Sequence, residues 1–380
     1  MKVIVLGGAG DVGSRAVEDL AIAEGVQEVA IADRNVDAAE RIARRLSGGR
    51  CAVTVRAVDA NDHASLVRAI AGFDVAASAL GPFYRFEAKL ARAALEAGVD
   101  YASVCDEWEA AEAVFTELDG EAKRRGRVVL SGLGTSPGVT NVGIRYLANQ
   151  LDRTRRADVL VYQPLDAGGG EAVIRHMLHI ISGDTTVWRG GRRTMIPACS
   201  ESRVVDFPRF GAIRVWNMGH AEPVTVPRFV EGIEEVNFLM GFGRGSAFFI
   251  RPAKWGLWKI APVADAFVKL IDRLEHMGTQ REPAAGAIRI DVWGEKDGRE
   301  EHRMLCGIGQ MREATGLSLA VGALMLGRGQ LLTAAGGVYA PEGCIDPAVF
   351  IRIMRDKGLL AYEDLSMERP LELSRAAARK

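Results

Sequence analysis

A chain of 380 residues, 48% hydrophobic and 26% charged, is long enough for two domains with a sizeable core and has an ordinary globular composition. A formal net charge of −1 offers no basic field for nucleic acid or an anionic membrane, and five scattered cysteines without a CxxC pair suggest neither a disulfide framework nor a zinc site. No apolar run reaches membrane-spanning length and the N-terminus enters a strand without a leader pattern, so the expected location is the reducing cytoplasm.

The apolar run Val3 to Leu6 reads as a strand buried on both faces, as in a parallel sheet. It breaks into Gly8-x-Gly10-x-x-Gly13, after which Val12, Ala16, Val17 and Leu20 fall at helical spacing. Strand, glycine turn and helix form the dinucleotide-binding fingerprint: the turn lets backbone approach a diphosphate, and the helix start presents N–H groups to it. Asp11 is an awkward neighbour for a diphosphate, though an acid suits a helix N-terminus, and the Ser14 hydroxyl offers one more donor. A second apolar strand, Val29–Ala32, ends in Asp33, where a carboxylate accepts from the ribose hydroxyls and repels a 2′-phosphate. The expected cofactor is therefore NAD, with NADP less favoured; Arg34 next door is suited to that phosphate or to stacking on adenine.

A helix over Val36–Leu46 and a strand over Ala52–Ala57 follow, then Asp59, placed near the adenine or serving turn chemistry, and Asp62, a cap for the helix His63–Ile70. The fourth strand, Phe73–Ser78, leads into Ala79-Leu-Gly-Pro-Phe-Tyr84. This loop leaves the carboxyl edge of the sheet, so Ala79, Gly81, Pro82 and Tyr84 are placed beside the nicotinamide half. Helix Phe86–Ala97, strand Val99–Ser103, the edge residue Asp106, helix Glu109–Arg125 and strand Arg127–Leu130 complete about six parallel strands.

Ser131–Asn141, rich in glycine with Pro137, ends this alternation before a helix over Asn141–Leu151. Alternating, strand-like segments then occupy 157–163, 186–189, 202–207, 212–217, 233–240, 287–293 and 300–307, with helices near Val173–Ile181 and over Trp255–Met277. Helices over Met311–Gly327 and Asp346–Lys357 close the chain. The fold class is α/β: a doubly wound Rossmann sheet plus an α+β domain with a large, mostly antiparallel sheet.

Several motifs occur in a recognisable order: the glycine turn; Leu133-Gly-Thr-Ser-Pro-Gly-Val-Thr-Asn141 with Gln150-Leu-Asp152; Phe207-Pro-Arg-Phe-Gly211; and Gly337-Val-Tyr-Ala-Pro-Glu342 with Met354-Arg-Asp-Lys-Gly-Leu359. The chain resembles the saccharopine dehydrogenase-like family, nearest its lysine 6-dehydrogenase branch. The resemblance implies a Rossmann domain over 1–133, an inserted substrate and dimerisation domain over 134–310, a segment over 311–380 returning to the first domain, and a homodimer. It also implies NAD-dependent oxidation of a lysine-like ε-amine to an imine, hydrolysed to the semialdehyde. Relatives in the wider family run reductively, joining an amine to a carbonyl compound. The stretches Asp166–Gly183, with Gly168-Gly-Gly170, and Val215–Glu222 depart from the branch pattern, so redox chemistry at a C–N bond is implied more firmly than lysine. A non-catalytic dinucleotide-binding regulatory protein is the alternative from another class.

Amine oxidation needs a base to take an ammonium proton, and an amino-acid substrate needs a cation for its carboxylate. Asp106, His179 and His220 are the chosen proton-handling candidates, with His176 and Glu222 beside them; helix capping is the plainer role for Asp106, and solvated or loop positions for the histidines. Tyr84, Arg209 and Trp216 are the substrate candidates, Arg209 preferred to Arg175 and Arg214, though such arginines are commonly surface residues and Trp216 suits a core. His176 and His179, three apart, lack an evident third ligand, so no metal is expected; Cys105 has no histidine arrangement to activate it.

Overall fold

The computed structural model describes residues 1–164, 170–243, 246–277 and 284–373; Gly168 and Gly169 of the triple-glycine stretch lie outside them. The chain forms two compact units, Met1–Val142 with Arg312–Lys357, and Gly143–Met311 with the residues from Gly358 onward. In chain order the first unit begins with β1 (Lys2–Leu6), β2 (Glu28–Asp33), β3 (Ala52–Ala57), β4 (Val75–Ser78), β5 (Asp100–Ser103) and β6 (Val128–Ser131). Between them run α1 (Asp11–Ile22), α2 (Val36–Arg45), α3 (His63–Ile70), α4 (Phe83–Glu96) and α5 (Trp108–Arg125). The second unit carries β7 (Arg153–Tyr162), β8 (Asp184–Arg189), β9 (Arg192–Pro197), β10 (Ser202–Phe207), β11 (Gly211–Asn217), β12 (Glu235–Gly241), β13 (Gly286–Lys296) and β14 (Arg299–Gly309). Back in the first unit lies β15 (Gly337–Tyr339).

The first sheet is all parallel, in the order β15-β6-β5-β4-β1-β2-β3. Its central strands are apolar along their whole length because helices cover both faces: Val3–Leu6, Val29–Ala32 and Val75–Ala77 are all buried. The strand order reverses between β1 and β4, which makes a crevice outside their carboxyl ends, the usual ligand position in open α/β sheets. The sheet has seven strands rather than about six, because Gly337–Tyr339 pairs with Val128–Leu130 from more than 200 residues away. Two of the family-like motifs meet here: Asn141 Nδ2 donates to Glu342 Oε1 at 2.9 Å, both residues buried. Lys357 donates to both oxygens of the buried Asp19 on α1, at 2.7 and 2.8 Å.

The second sheet is mixed and mostly antiparallel, with β12 and β7 its parallel pair. Leu160, Phe207, Val215, Leu239 and Ala287 form a buried cluster on it. Asp158 is fully buried on β7; burial would raise its carboxyl, but Arg156, Arg203 and Asn237 hold it below the usual carboxylate range. Local chemistry explains two departures from the sequence reading. The helix expected over Trp255–Met277 is two pieces, a 3-10 turn Leu257–Lys259 and a helix Ala261–Met277, preceded by a separate helix Ala247–Lys254, because Gly256 adopts φ 72° and Pro262 starts a new helix. The helix after the glycine-rich exit runs Val139–Ala148, starting earlier than Asn141.

Candidate active site

At the start of α1, chain geometry rather than side-chain capping builds the turn. Gly7 takes φ +73°, and a Cβ on Gly13 would sit 2.1 Å from the Gly7 carbonyl oxygen, so no side chain is admitted where the helix meets the turn. Gly10 occupies the N-cap with no side-chain bond to the first helical N–H groups. This is a cradle that a Cβ would fill, and it fits the diphosphate of a dinucleotide. Asp33, at the end of β2, accepts from the Ala9 N–H at 3.1 Å and the Asn35 N–H at 2.9 Å. Its carboxylate is thus fixed beside the turn, while Arg34 is exposed. Val12 is half-buried on α1, next to an exposed Asp11.

Sequence reasoning missed Arg312. Its Nε lies 2.9 Å from Asp11 Oδ1 and its Nη2 donates to Ser14 Oγ at 3.2 Å, so the awkward acid is paired. Ser14 spends its own proton on the Asp11 carbonyl at 2.9 Å. A contact between residues 301 positions apart leaves no local signal in the sequence.

At the carboxyl edge, the Ala79 N–H donates to the Leu6 carbonyl, tying the loop after β4 to β1. The Gly81–Pro82 peptide is cis, and Pro82 stands at the N-cap of α4. Tyr84 is 55% exposed rather than packed on its helix, and its backbone N–H donates to the Glu107 carboxylate. Asp106 is half-buried and is not the cap of α5; Glu107 holds that position. Asp59 is exposed and accepts from the backbone N–H and side-chain Nδ2 of Asn61, both at 2.9 Å, which lowers its carboxyl as turn chemistry does.

Below this edge lies Glu87, a second residue the sequence did not single out. It is fully buried on α4 and accepts from the Tyr101, Ser103 and Ser131 hydroxyls. Burial pushes its carboxyl up to about 7, against the pull of those hydroxyls. Burial, with Glu87 nearby, also drives the Cys105 thiol well above its ordinary value, so it offers no ready thiolate.

In the second unit, two candidates from the sequence come together. His220 Nδ1 lies 2.6 Å from Glu222 Oε2, both side chains are buried, and the imidazole stacks on Phe238 at 3.7 Å. Glu222 opens the helix Glu222–Phe229, where an acid is favoured and Pro223 fits the first turn. A carboxylate at Nδ1 favours the tautomer with its N–H there, which leaves the lone pair on Nε2. The neighbour brought to His220 is His176, with ring nitrogens within 4.8 Å; His179 sits in the last turn of the same helix. Trp216 is 9% exposed and pairs with Met240 on β12. Arg209 lies at the exposed tip of the β10–β11 hairpin with φ 61°, separated from Asn217 by the length of β11, roughly 20 Å at the usual strand rise. It is not gathered with His220. Arg175 pairs with Asp265 at 2.6 Å, and Arg214 is exposed beside Ser202.

Sheet topology and glycine turn together define a doubly wound fold of the dinucleotide-binding class. Residues 3–130 match the sequence profile of the saccharopine dehydrogenase NADP binding domain. The chain is 27% identical over 236 residues to carboxynorspermidine synthase of Vibrio cholerae, a match spanning 57% of this chain and only 56% of that enzyme. It is 24% identical to carboxyaminopropylagmatine dehydrogenase of Synechocystis, across 96% of this chain and 98% of that one. The fold resembles saccharopine dehydrogenase of Saccharomyces cerevisiae with TM-score 0.68 at 14% identity, covering 95% and 99% of the two chains. The likeness to the saccharopine dehydrogenase family is thus carried at the sequence level by residues 3–130 and by relatives that are 24% and 27% identical. Among the described residues no helix is long and apolar enough to cross a membrane.

Proposed function

We propose that this protein is an NAD-dependent dehydrogenase acting at a C–N bond of a small, carboxyl-bearing amine or amino acid. The reading is carried by the diphosphate cradle of the first unit, with Asp33 anchored beside it, and is supported separately by a buried His220–Glu222 couple in the second unit suited to proton transfer. A bound nicotinamide supplies the hydride chemistry. Gly8, Gly10 and Gly13 hold the diphosphate, and Asp33 takes the adenosine ribose, favouring NAD over NADP. Gly81, Pro82 and Tyr84 flank the nicotinamide half. His220, oriented by Glu222, removes the ammonium proton from a substrate amine during oxidation and returns it during reduction, with His176 as its neighbour. This assignment prefers His176 to His179 and gives Arg209 no part in the chemistry.

Reductive condensation of an amine with a carbonyl compound is the favoured direction, because both curated relatives are named for a carboxyl-bearing amine of that kind. Oxidative deamination of a lysine-like ε-amine is the second reading, supported by the motif from Leu133 to Asn141. Absorbance at 340 nm separates them. Turnover of NAD with lysine or another lone amine supports deamination; NAD(P)H consumption requiring both an amine and an oxo acid or aldehyde supports condensation; no turnover in either assay rejects the enzyme reading. The family resemblance supports a cytoplasmic homodimer, which light scattering on the purified chain tests.

A further inference from the structure

We propose that Arg312 is a direct ligand of the coenzyme diphosphate, held at the cradle by Asp11 until the coenzyme arrives; this rests on the dinucleotide reading above. Arg312 stands in the first turn of the helix Met311–Gly327, where the chain re-enters the first unit. Its guanidinium spans the first turn of α1: Nε meets Asp11 Oδ1 at 2.9 Å, Nη2 meets Ser14 Oγ at 3.2 Å, and Nη1 meets Glu313 Oε1 at 2.7 Å. The N–H groups opening α1 receive no acceptor from a cap side chain, because the cap is Gly10.

An anion entering this turn meets three kinds of group at once: backbone donors, the carboxylate of Asp11 and the guanidinium of Arg312. Asp11 is 56% exposed, and without its partner it would repel a diphosphate at contact range. Arg312 removes that repulsion. Its planar fork also suits the paired oxygens of a phosphate better than the one Asp11 oxygen and one Glu313 oxygen it now holds, with Glu18 Oε1 farther off at 3.9 Å. Glu313 does not compete with equal force, since Arg15 Nε binds it at 2.5 Å. A diphosphate therefore draws the guanidinium from Asp11 by offering more charge and more acceptors. The residue sets diphosphate affinity, whereas adenosine recognition lies with Asp33.

Calorimetry with ADP, NAD and adenosine, the last by competition against NAD, tests the assignment on the full chain. Losing a charge-assisted bond, Arg312→Ala should weaken ADP and NAD roughly 10- to 100-fold and change adenosine less than about 2-fold. Arg312→Lys should keep part of the affinity. Asp11→Asn should tighten ADP in the natural chain, and tighten it further when combined with Arg312→Ala, where the carboxylate would otherwise stand unpaired beside the diphosphate. Equal losses for adenosine and ADP would show a merely structural arginine and overturn the proposal, as would unchanged ADP binding in Arg312→Ala. A natural chain that binds neither ADP nor NAD would instead reject the dinucleotide reading itself.

Discussion

Single side chains test the proposed cofactor preference and one titration that bears on stability. The oxygens of Asp33 hold the Ala9 and Asn35 N–H groups, and the ribose role is proposed for the same carboxylate. Asp33→Ala should weaken NAD at least about 10-fold more than NADP, the size of one or two charge-assisted bonds, measured by calorimetry. Equal losses would leave Asp33 only its role in fixing the turn. Glu87 titrates near 7 when folded and near an ordinary glutamate value when unfolded, so the folded chain holds its proton more tightly across that interval. Stability should therefore fall as pH rises from about 4.5 to 7 and then level off. Glu87→Gln should flatten this part of the curve in urea melts; a slope identical to the natural chain's would show that another group is responsible. Position 33 was legible because it ends an apolar strand at a fixed distance from a glycine motif. Glu87 was not: in the sequence it is one more acid on an amphipathic helix, and only folding surrounds it with the hydroxyls of 101, 103 and 131.

At the scale of elements, local rules located most of the first unit. Asn35, Asp62 and Asp346 each accept from N–H groups at a helix start, and the strands from β1 to β6 lie close to where apolar runs placed them. The turn before α1 is the tightest joint. Gly13→Ala would press a methyl group into the Gly7 carbonyl and should lower stability by about 1–3 kcal/mol, read as a shift in the urea midpoint of the first unit. A midpoint unchanged in that variant would mean the turn relaxes freely. The second unit was harder to read. β9, an exposed strand rich in arginine, pairs with β8 yet shows only weak alternation. Pairing in a mixed sheet depends on distant partners rather than on local spacing. The same reason explains Arg209: its motif is family-like, but hairpin register sends it to an exposed tip.

At the scale of the whole molecule, the chain leaves the first unit after Val142 and returns at Arg312. A fragment ending at residue 142 would lack β15, leaving β6 an open edge, and would leave Asn141 without Glu342. Such a fragment should aggregate, whereas one with residues 312–357 joined by a flexible linker should stay soluble and melt cooperatively; sedimentation and circular dichroism compare the two. The halt in strand–helix alternation near Ser131 marked where the run β1 to β6 ends, but the late strand was not readable, because three residues carry too little pattern. Synthesis on the ribosome gives that late strand a cost in time. Roughly 200 residues must be translated between β6 and β15, which at ~5–20 residues per second is roughly 10–40 s. Throughout that interval a nascent six-stranded sheet keeps one flank unpaired, which makes it a natural client for a chaperone near the exit tunnel.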